Sequence, residues 1–345
     1  MSAPLLGLDT FGDIPRDAAG DLVSEAEAIR RVVEEATLAD ALGVDVFTIG
    51  EHHHPEFVIS SPETVLAAIA GRTSRIRLGS GVTVLSSDDP VRVFQRFSTL
   101  DAVSDGRADV MLGRGSFTES FPLFGFDLAD YEVLFDEKLD LFARLLEERP
   151  VTWSGTTRAP LLDAEVYPHT DSGRLTTWIG AGGSPASVVR AARYGLPLML
   201  AVIGGDPTRF RGHVDLYRRS LEELGRPPRP VGIHSPGFVA DSDEEALELY
   251  YPRHKEMYDR IGWMRGRPPV RRSEFDREVA IGSLYVGGAE TVARKIAATI
   301  AALDLNRFDL LYTVSSMSIQ ARLRAVELFG SEVAPLVREL TKDQG

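Results

Sequence analysis

The chain contains no cysteine, no long apolar run and no surplus of positive charge. The absence of cysteine excludes disulfides, thiolate nucleophiles and thiolate metal ligands. No stretch approaches the roughly 20 apolar residues that a membrane-spanning helix needs. The N-terminal sequence MSAPLLGLDTFGDIP lacks the basic start and apolar run of a signal peptide. We therefore expect a cytoplasmic protein with no membrane segment.

The charge balance restricts the possible partners. Lys and Arg number 38 against 51 Asp and Glu, which gives a net charge of -13. A surface of this sign repels nucleic acids and anionic membranes, so we expect neither as a partner. The 345 residues are 43% hydrophobic, which is enough for one large α/β domain. Because no linker or change of composition divides the chain, we expect a single domain over residues 1–345.

Short apolar segments alternate with helical patterns along the whole chain. Eight strands are predicted, at residues 5–11, 44–50, 76–85, 108–113, 176–181, 198–202, 231–239 and 308–314. Two segments, near 149–170 and 259–283, interrupt the alternation and are interpreted as loop insertions. A doubly wound open sheet is the rival architecture. Since eight parallel strands are the number that closes a barrel, the pattern favours a (β/α)8 TIM barrel with loop insertions.

Catalytic groups in such a barrel lie where strands end and the following loops begin. The second predicted strand is followed by Glu51-His52-His53-His54-Pro55-Glu56-Phe57, which holds three of the seven histidines. This loop has three interpretations. It is a solvated polar loop, a metal site in which His52 and His54 converge, or a proton-handling imidazole at the barrel mouth. The other four histidines do not fall at strand ends, so further metal ligands are scarce and we assign none.

Glycines mark three further strand ends. Gly81-Val82 in the third strand indicates either a bulge or close approach by a ligand, with simple packing as the alternative. Arg114 lies between two glycines after the fourth strand, where a guanidinium can bind a phosphate. Gly182-Gly183-Ser184 precedes a helix that begins with a proline, and a helix N-terminus attracts anions. Together these features suit a ring cofactor that carries a phosphate.

The chain resembles the bacterial-luciferase-like flavin-dependent monooxygenases over nearly its whole length. The family's Glu-His-His-x-x-Glu-Phe motif is matched by Glu51, His52, His53, Glu56 and Phe57. Further matches are Val84-Leu85, Pro90-Val91-Arg92, Gly106-Arg107, Arg114-Gly115, Phe124-Gly125, Gly195-Leu196-Pro197 and Glu327-Leu328-Phe329-Gly330. The resemblance implies a homodimeric barrel that uses O2 and reduced FMN from a separate NAD(P)H-flavin reductase to oxygenate a small-molecule substrate.

The resemblance also implies roles for individual residues. His52 handles protons, Gly81–Val82 forms a non-proline cis peptide beneath the flavin ring, and Arg114 binds the FMN phosphate with Gly182 and Gly183. The chain departs from luciferase at Glu132, where luciferase has a second phosphate arginine, and at Gly183 and Ala186, where it has a serine and a threonine. Ser184 and Ser187 are the candidates to replace those hydroxyl groups.

Two alternatives stay open beside the FMN monooxygenase. One is an oxidoreductase that uses the deazaflavin F420 on the same barrel. The other comes from a different class: a metal-dependent barrel hydrolase using His52 and His54, or a flavin-binding relative without activity.

Two structural expectations follow from the pattern. The helices at 62–72 and 90–104 are expected to form the dimer interface, with Phe94 and Phe97 buried between subunits. The insertion at 259–283 is expected to be a mobile lid over the flavin. It contains Arg265, Arg267, Arg271, Arg272 and Arg277, together with glycines and prolines that disfavour a continuous helix.

Overall fold

Eight parallel strands pair in chain order and close on themselves. The computed structural model describes residues 3–115, 117–171, 173–264, 266 and 268–342. The strands are β1 (Leu5–Thr10), β2 (Val46–Ile49), β3 (Arg77–Ser80), β4 (Ala108–Gly113), β5 (Thr176–Ala181), β6 (Leu198–Ala201), β7 (Val231–Ala240) and β8 (Arg307–Leu311). Because β8 pairs with both β7 and β1, the sheet has no open edge. The predicted TIM barrel is confirmed, and the open-sheet alternative is wrong.

One helix per strand packs outside the barrel. They are α1 (Glu25–Ala41), α2 (Pro62–Ala70), α3 (Pro90–Val103), α4 (Tyr131–Leu145), α5 (Pro185–Tyr194), α6 (Arg211–Glu223), α7 (Ala289–Leu303) and α8 (Ile319–Leu328), with a final helix at Ala334–Lys342. Local signals set several ends. Ser24 accepts a hydrogen bond from the Glu27 N–H at the start of α1, and Asp89 caps α3 in the same way. Among the described residues, no helix is long and apolar enough to cross a membrane.

The first insertion contains a small antiparallel hairpin rather than an irregular loop. Val151–Trp153 pairs with Leu161–Ala164 in a two-stranded sheet separate from the barrel. The Trp153 indole N–H donates to the Asp140 carboxylate over 3.0 Å, which fixes the hairpin to α4.

The second insertion is mostly helical, so the expectation of a loop over 259–283 is wrong. Helices Asp243–Met264 and Arg272–Ile281 are followed by the strand Tyr285–Gly288, which pairs with the outer half of β7. Phe275 is buried in a hydrophobic cluster of its own with Tyr250 and Phe238. The sequence missed this packing because the partners lie far apart along the chain. Arg265 and Arg267 lie outside the described residues.

The two helices expected at a dimer interface bury their large side chains in the core of their own subunit. Phe94 and Phe97 are each 1% exposed and belong to the main core, so they are not available to a second subunit. The expectation for these two residues is therefore wrong. The outer face of α2 presents Ala67 and Ala68 instead.

A buried ion pair joins α1 and α8, the helices of the first and last β/α units. Arg322 on α8 and Glu35 on α1 are both fully buried, with Arg322 Nη2 2.8 Å from Glu35 Oε2. Arg322 also donates to the Asp13 carbonyl over 2.7 Å, and the Tyr312 hydroxyl donates to Glu35. The network therefore links the first and last β/α units and the loop after β1.

We predict that Glu35→Ala destabilises the fold by about 3–5 kcal/mol, because it removes the carboxylate that pairs directly with the buried Arg322 guanidinium. Urea unfolding followed by circular dichroism measures the change. The matched control is Glu290→Ala, which removes an exposed pair with Arg294 and should cost less than about 1 kcal/mol. A loss for Glu35→Ala as small as that of the control would contradict the assigned role of the pair.

Candidate functional site

His52 lies directly after β2 among three phenylalanine rings. Its ring centroid is 4.5 Å from that of Phe11, 4.8 Å from Phe57 and 5.3 Å from Phe117. Its backbone N–H donates to the Ile59 carbonyl over 3.0 Å. The aromatic walls hold the imidazole at the C-terminal end of the barrel, where catalytic groups of this fold lie.

These surroundings determine the protonation state of His52. Burial lowers the pKa of His52 to about 3, and the neighbouring His54 and His53 add to the shift. The imidazole is therefore neutral at physiological pH. A neutral imidazole accepts a hydrogen bond at one ring nitrogen and donates one from the other, so His52 in this state is a hydrogen-bonding group rather than a stored acid.

Glu51 fixes the histidine loop to the segment that follows β3. One carboxylate oxygen lies 3.0 Å from His53 Nε2, and the other accepts the Val84 N–H over 2.8 Å. The Glu51 N–H donates to the Val82 carbonyl over 3.0 Å. Sequence reasoning did not assign Glu51 a role of its own, although it begins the histidine motif. His53 is thus held by a carboxylate rather than directed at the mouth.

The remaining histidine of the loop faces the second insertion. His54 Nδ1 lies 3.9 Å from Glu56 Oε2, and Glu56 forms an ion pair with Arg260 on the helix Asp243–Met264. The insertion therefore contacts the histidine loop directly. Within the part of the chain that the structure describes, no three His, Asp or Glu side chains are arranged to hold a metal ion.

The Gly81–Val82 peptide is cis, as expected. The Val82 side chain fills the space above Gly113 and Gly180. A Cβ added at Gly113 would lie 2.7 Å from Val82, and one added at Gly180 would lie 2.9 Å from it. These two glycines are therefore explained by packing. Val82 also packs against Met111, Trp178 and Met199, which form a separate apolar cluster inside the barrel.

The predicted phosphate-binding residues come together at the N-terminus of α5. Arg114 Nη2 donates to the Ser187 hydroxyl over 3.3 Å, and Ser187 lies in the first turn after the N-cap residue Ser184. Gly183 has a φ of +96°, which favours glycine, and a Cβ on Gly182 would meet nothing within 4 Å. The arrangement combines a guanidinium with a helix N-terminus, which is a donor set that suits a phosphate.

Glu132 and Arg190 lie beside Arg114 and add one negative and one positive charge to this site. Glu132 forms ion pairs with both Arg114 and Arg190, the second at 3.3 Å. Arg190 also lies 2.6 Å from the Asp136 carboxylate and 3.5 Å from the Ser187 hydroxyl. Sequence reasoning missed Arg190 because it lies inside α5, away from any strand end.

A second histidine lies inside the barrel below His52. His234 Nδ1 on β7 is 2.9 Å from the Asp9 carboxylate on β1, and Asp9 also accepts the Thr48 hydroxyl over 2.7 Å. The Phe11 ring stacks on His234 with centroids 6.0 Å apart and an interplanar angle of 15°. His234 does not fall at a strand end, so it was not predicted to be a site residue. Its position instead points it into the barrel.

Asp9 and His234 influence each other's pKa. Burial raises the pKa of Asp9, although His234 opposes the shift. Burial is the largest influence on His234 and lowers its pKa, but the charge and hydrogen bond of Asp9, together with the charge of Asp309, raise that pKa by more, so the net shift is upward. A Cβ added at Gly81 would lie 2.8 Å from Asp9 Oδ1, so the pair lies directly beneath the cis peptide.

Comparison with known proteins agrees with this geometry. A family model described as luciferase-like monooxygenase matches residues 14–314. The 4-hydroxyprotoasukamycin monooxygenase of Streptomyces nodosus subsp. asukaensis is 32% identical over 274 residues, which cover 72% of this chain and 70% of that protein.

Solved structures share the whole fold at lower identity. The monooxygenase RslO1 of Streptomyces bottropensis has a TM-score of 0.81 at 24% identity, covering 96% of this chain and 99% of that one. The oxygenating component of 3,6-diketocamphane monooxygenase from Pseudomonas putida, solved with FMN, has a TM-score of 0.75 at 19% identity, covering 97% and 99%. The F420-dependent tetrahydromethanopterin reductase of Methanopyrus kandleri has a TM-score of 0.73 at 19% identity, with the same coverage.

We predict that Asp9→Asn lowers the pKa of His234 below its usual value near 6.5. The substitution removes the charge that opposes burial, so the neutral imidazole is favoured. Nitrogen-15 NMR of the histidine rings across pH 4–9 measures the change, and His234→Asn identifies the signal by its loss. An unchanged titration of that signal in Asp9→Asn would contradict the pairing.

Proposed function

Because the chain belongs to the luciferase-like monooxygenase family, we propose that it is a flavin-dependent monooxygenase that uses reduced FMN and O2 to oxygenate a small organic substrate. One observation carries the proposal. The aromatic-lined His52, the Gly81–Val82 peptide, and the site formed by Arg114 and the N-terminus of α5 all lie at the same end of one barrel.

The guanidinium of Arg114, the N-terminus of α5 and the aromatic rings at this end of the barrel would together hold FMN. We assign the phosphate to Arg114, Gly182, Gly183 and Ser184, and the ring system to the Gly81–Val82 segment. When bound, reduced flavin supplies the electrons that activate O2 for the transfer of one oxygen atom. We assign the proton-handling step to His52, because it lies at the end of β2 and matches the histidine of the luciferase motif. The phenylalanine rings around His52 exclude water from the reacting atoms.

The proposal includes partners and location. The resemblance to luciferase implies that a separate NAD(P)H-flavin reductase supplies the reduced FMN. We further propose a homodimer through the outer face of α2, where the exposed Ala67 and Ala68 allow close helix approach, and a cytoplasmic location. Light scattering at micromolar concentration tests the dimer.

An F420-dependent oxidoreductase is the second candidate, since the same barrel occurs in an F420-dependent reductase. Titrating the purified protein with FMN, riboflavin and F420 separates the two, and O2 uptake with a flavin reductase follows. The monooxygenase predicts FMN binding and NAD(P)H-driven O2 uptake that forms an oxygenated product. Binding of F420 with no affinity for FMN would overturn it.

We predict that Arg114→Ala weakens FMN binding by about 10- to 100-fold, because a hydrogen bond to a charged group contributes about 1.5–3 kcal/mol. Fluorescence titration measures the affinity. Arg144→Ala removes a half-exposed guanidinium from α4 and serves as the control with parent affinity. Equal FMN affinity in the two variants would remove Arg114 from the site.

His52→Ala is predicted to lower kcat by about 10²- to 10⁴-fold, the usual contribution of a general acid–base group. FMN affinity should stay at the parent value, because the substitution leaves the phosphate site intact. Steady-state oxygenation with a substrate found by screening measures the effect, with His54→Ala as the control. Parent turnover in His52→Ala would show that another group moves the proton.

A further inference from the structure

We propose that Arg190 is the second phosphate-binding cation of this site, and that Glu132 is an internal carboxylate that competes with the phosphate for Arg114 and Arg190. The inference rests on the proposed function and adds to it the control of FMN affinity by residues of this chain.

The two arginines are held in place by contacts that a phosphate would not disturb. Both guanidinium groups are within hydrogen-bonding distance of the Ser187 hydroxyl, at 3.3 Å and 3.5 Å. Arg190 lies over the Phe135 ring at 5.5 Å, and Arg114 lies over the Tyr131 ring at 5.0 Å. Both guanidiniums thus converge on the first turn of α5, where the helix N-terminus adds its own attraction for an anion.

Glu132 occupies the position between these cations. One of its carboxylate oxygens pairs with Arg114 and the other with Arg190. A carboxylate that bridges two guanidiniums makes the contacts that two phosphate oxygens would otherwise make. The resemblance to luciferase places a phosphate arginine at this position, so the chain carries the opposite charge there and a compensating arginine one helix away.

The charge balance explains why the carboxylate competes. Arg114 and Arg190 face Glu132 and Asp136, so the four side chains together carry no net charge. A phosphate brings about −1.5 to −2 charges at neutral pH and gains full attraction only if a carboxylate leaves. Glu132 is the carboxylate that we expect to leave, because it pairs with both arginines and its side chain is 65% exposed, whereas Asp136 pairs with Arg190 alone and is 54% exposed.

The exposure of Glu132 also means that a phosphate could displace it at a small cost in free energy. A solvent-exposed ion pair contributes little to stability, and Glu132 can rotate into water without burying its charge. The competition therefore weakens phosphate binding without abolishing it. A weakly held phosphate suits a reduced flavin that is delivered by another protein and released in each cycle.

The first test compares FMN with riboflavin, which lacks the phosphate, in Glu132→Gln. We expect FMN to bind about two- to fivefold more tightly than to the parent at low ionic strength, since removing the competitor recovers an exposed ion pair. Riboflavin affinity should not change. The gain should shrink at high salt, because screening weakens the competitor. Glu290→Gln makes the same change of net charge on the exposed face of α7 and should leave both affinities unchanged.

The second test uses Arg190→Gln. FMN affinity should fall by at least about tenfold, the effect of losing a charged hydrogen bond, while riboflavin affinity stays constant. Arg193→Gln removes an exposed arginine from the last turn of the same helix and is the matched control. Circular dichroism confirms that each variant is folded.

The outcomes separate the two proposals. If Glu132→Gln binds FMN no more tightly than the parent, the competition is wrong although the flavin function stands. If Arg190→Gln keeps parent FMN affinity, Arg190 is not a phosphate cation. If neither FMN nor riboflavin binds any variant, the proposed function and this inference both fail.

Discussion

The pairing of charges inside the barrel is the constraint on which the rest of the structure depends. Arg307 is fully buried and lies 2.7 Å from Asp309 and 3.1 Å from Asp109. Arg77 pairs with Asp109 from the adjoining strand. These two cations balance the two carboxylates, because a buried charge without a partner costs several kcal/mol. The layer above contains the Asp9–His234 pair. Charged side chains of the interior are thus paired across five strands, β1, β3, β4, β7 and β8, which ties these strands to one another.

This balanced interior positions the site at the barrel mouth. The Asp9 carboxylate lies beneath Gly81, and Phe11, directly after β1, contacts the His52 ring and packs against Gly50. Val82 is held between glycines of β4 and β5. The Gly81–Val82 peptide is thus supported by the Asp9 side chain, and His52 is supported by the Phe11 side chain. The position of His52 is consequently determined by strand interiors as much as by its own loop.

The sequence predicted the eight strands because each is a short apolar run bounded by turn residues, and that signal is local. It also located the histidine loop and the Arg114 region, which lie at strand ends. Other features depend on contacts between distant segments. His234 lies 225 positions from Asp9 along the sequence, and a lone polar residue in an apolar strand indicates an inward position without naming its partner. Arg190 shows the same limit, since only the fold brings it to Glu132. Nothing in the sequence around Phe275 predicted the hydrophobic cluster against which the helices of the second insertion pack.

His52 and His234 both contact the Phe11 ring, yet their surroundings shift the pKa of the two imidazoles in opposite directions. His52 is surrounded by aromatic rings and has no carboxylate beside its own imidazole among the described residues, so burial dominates and its pKa falls to about 3. His234 faces Asp9, with Asp309 and Arg307 behind it, and the pKa of His234 rises. A phenylalanine ring carries no hydrogen-bonding group, so Phe11 gives the two histidines no direct path for a proton. They therefore titrate separately. His52 is thus already neutral well below pH 6, whereas His234 keeps its proton to a higher pH.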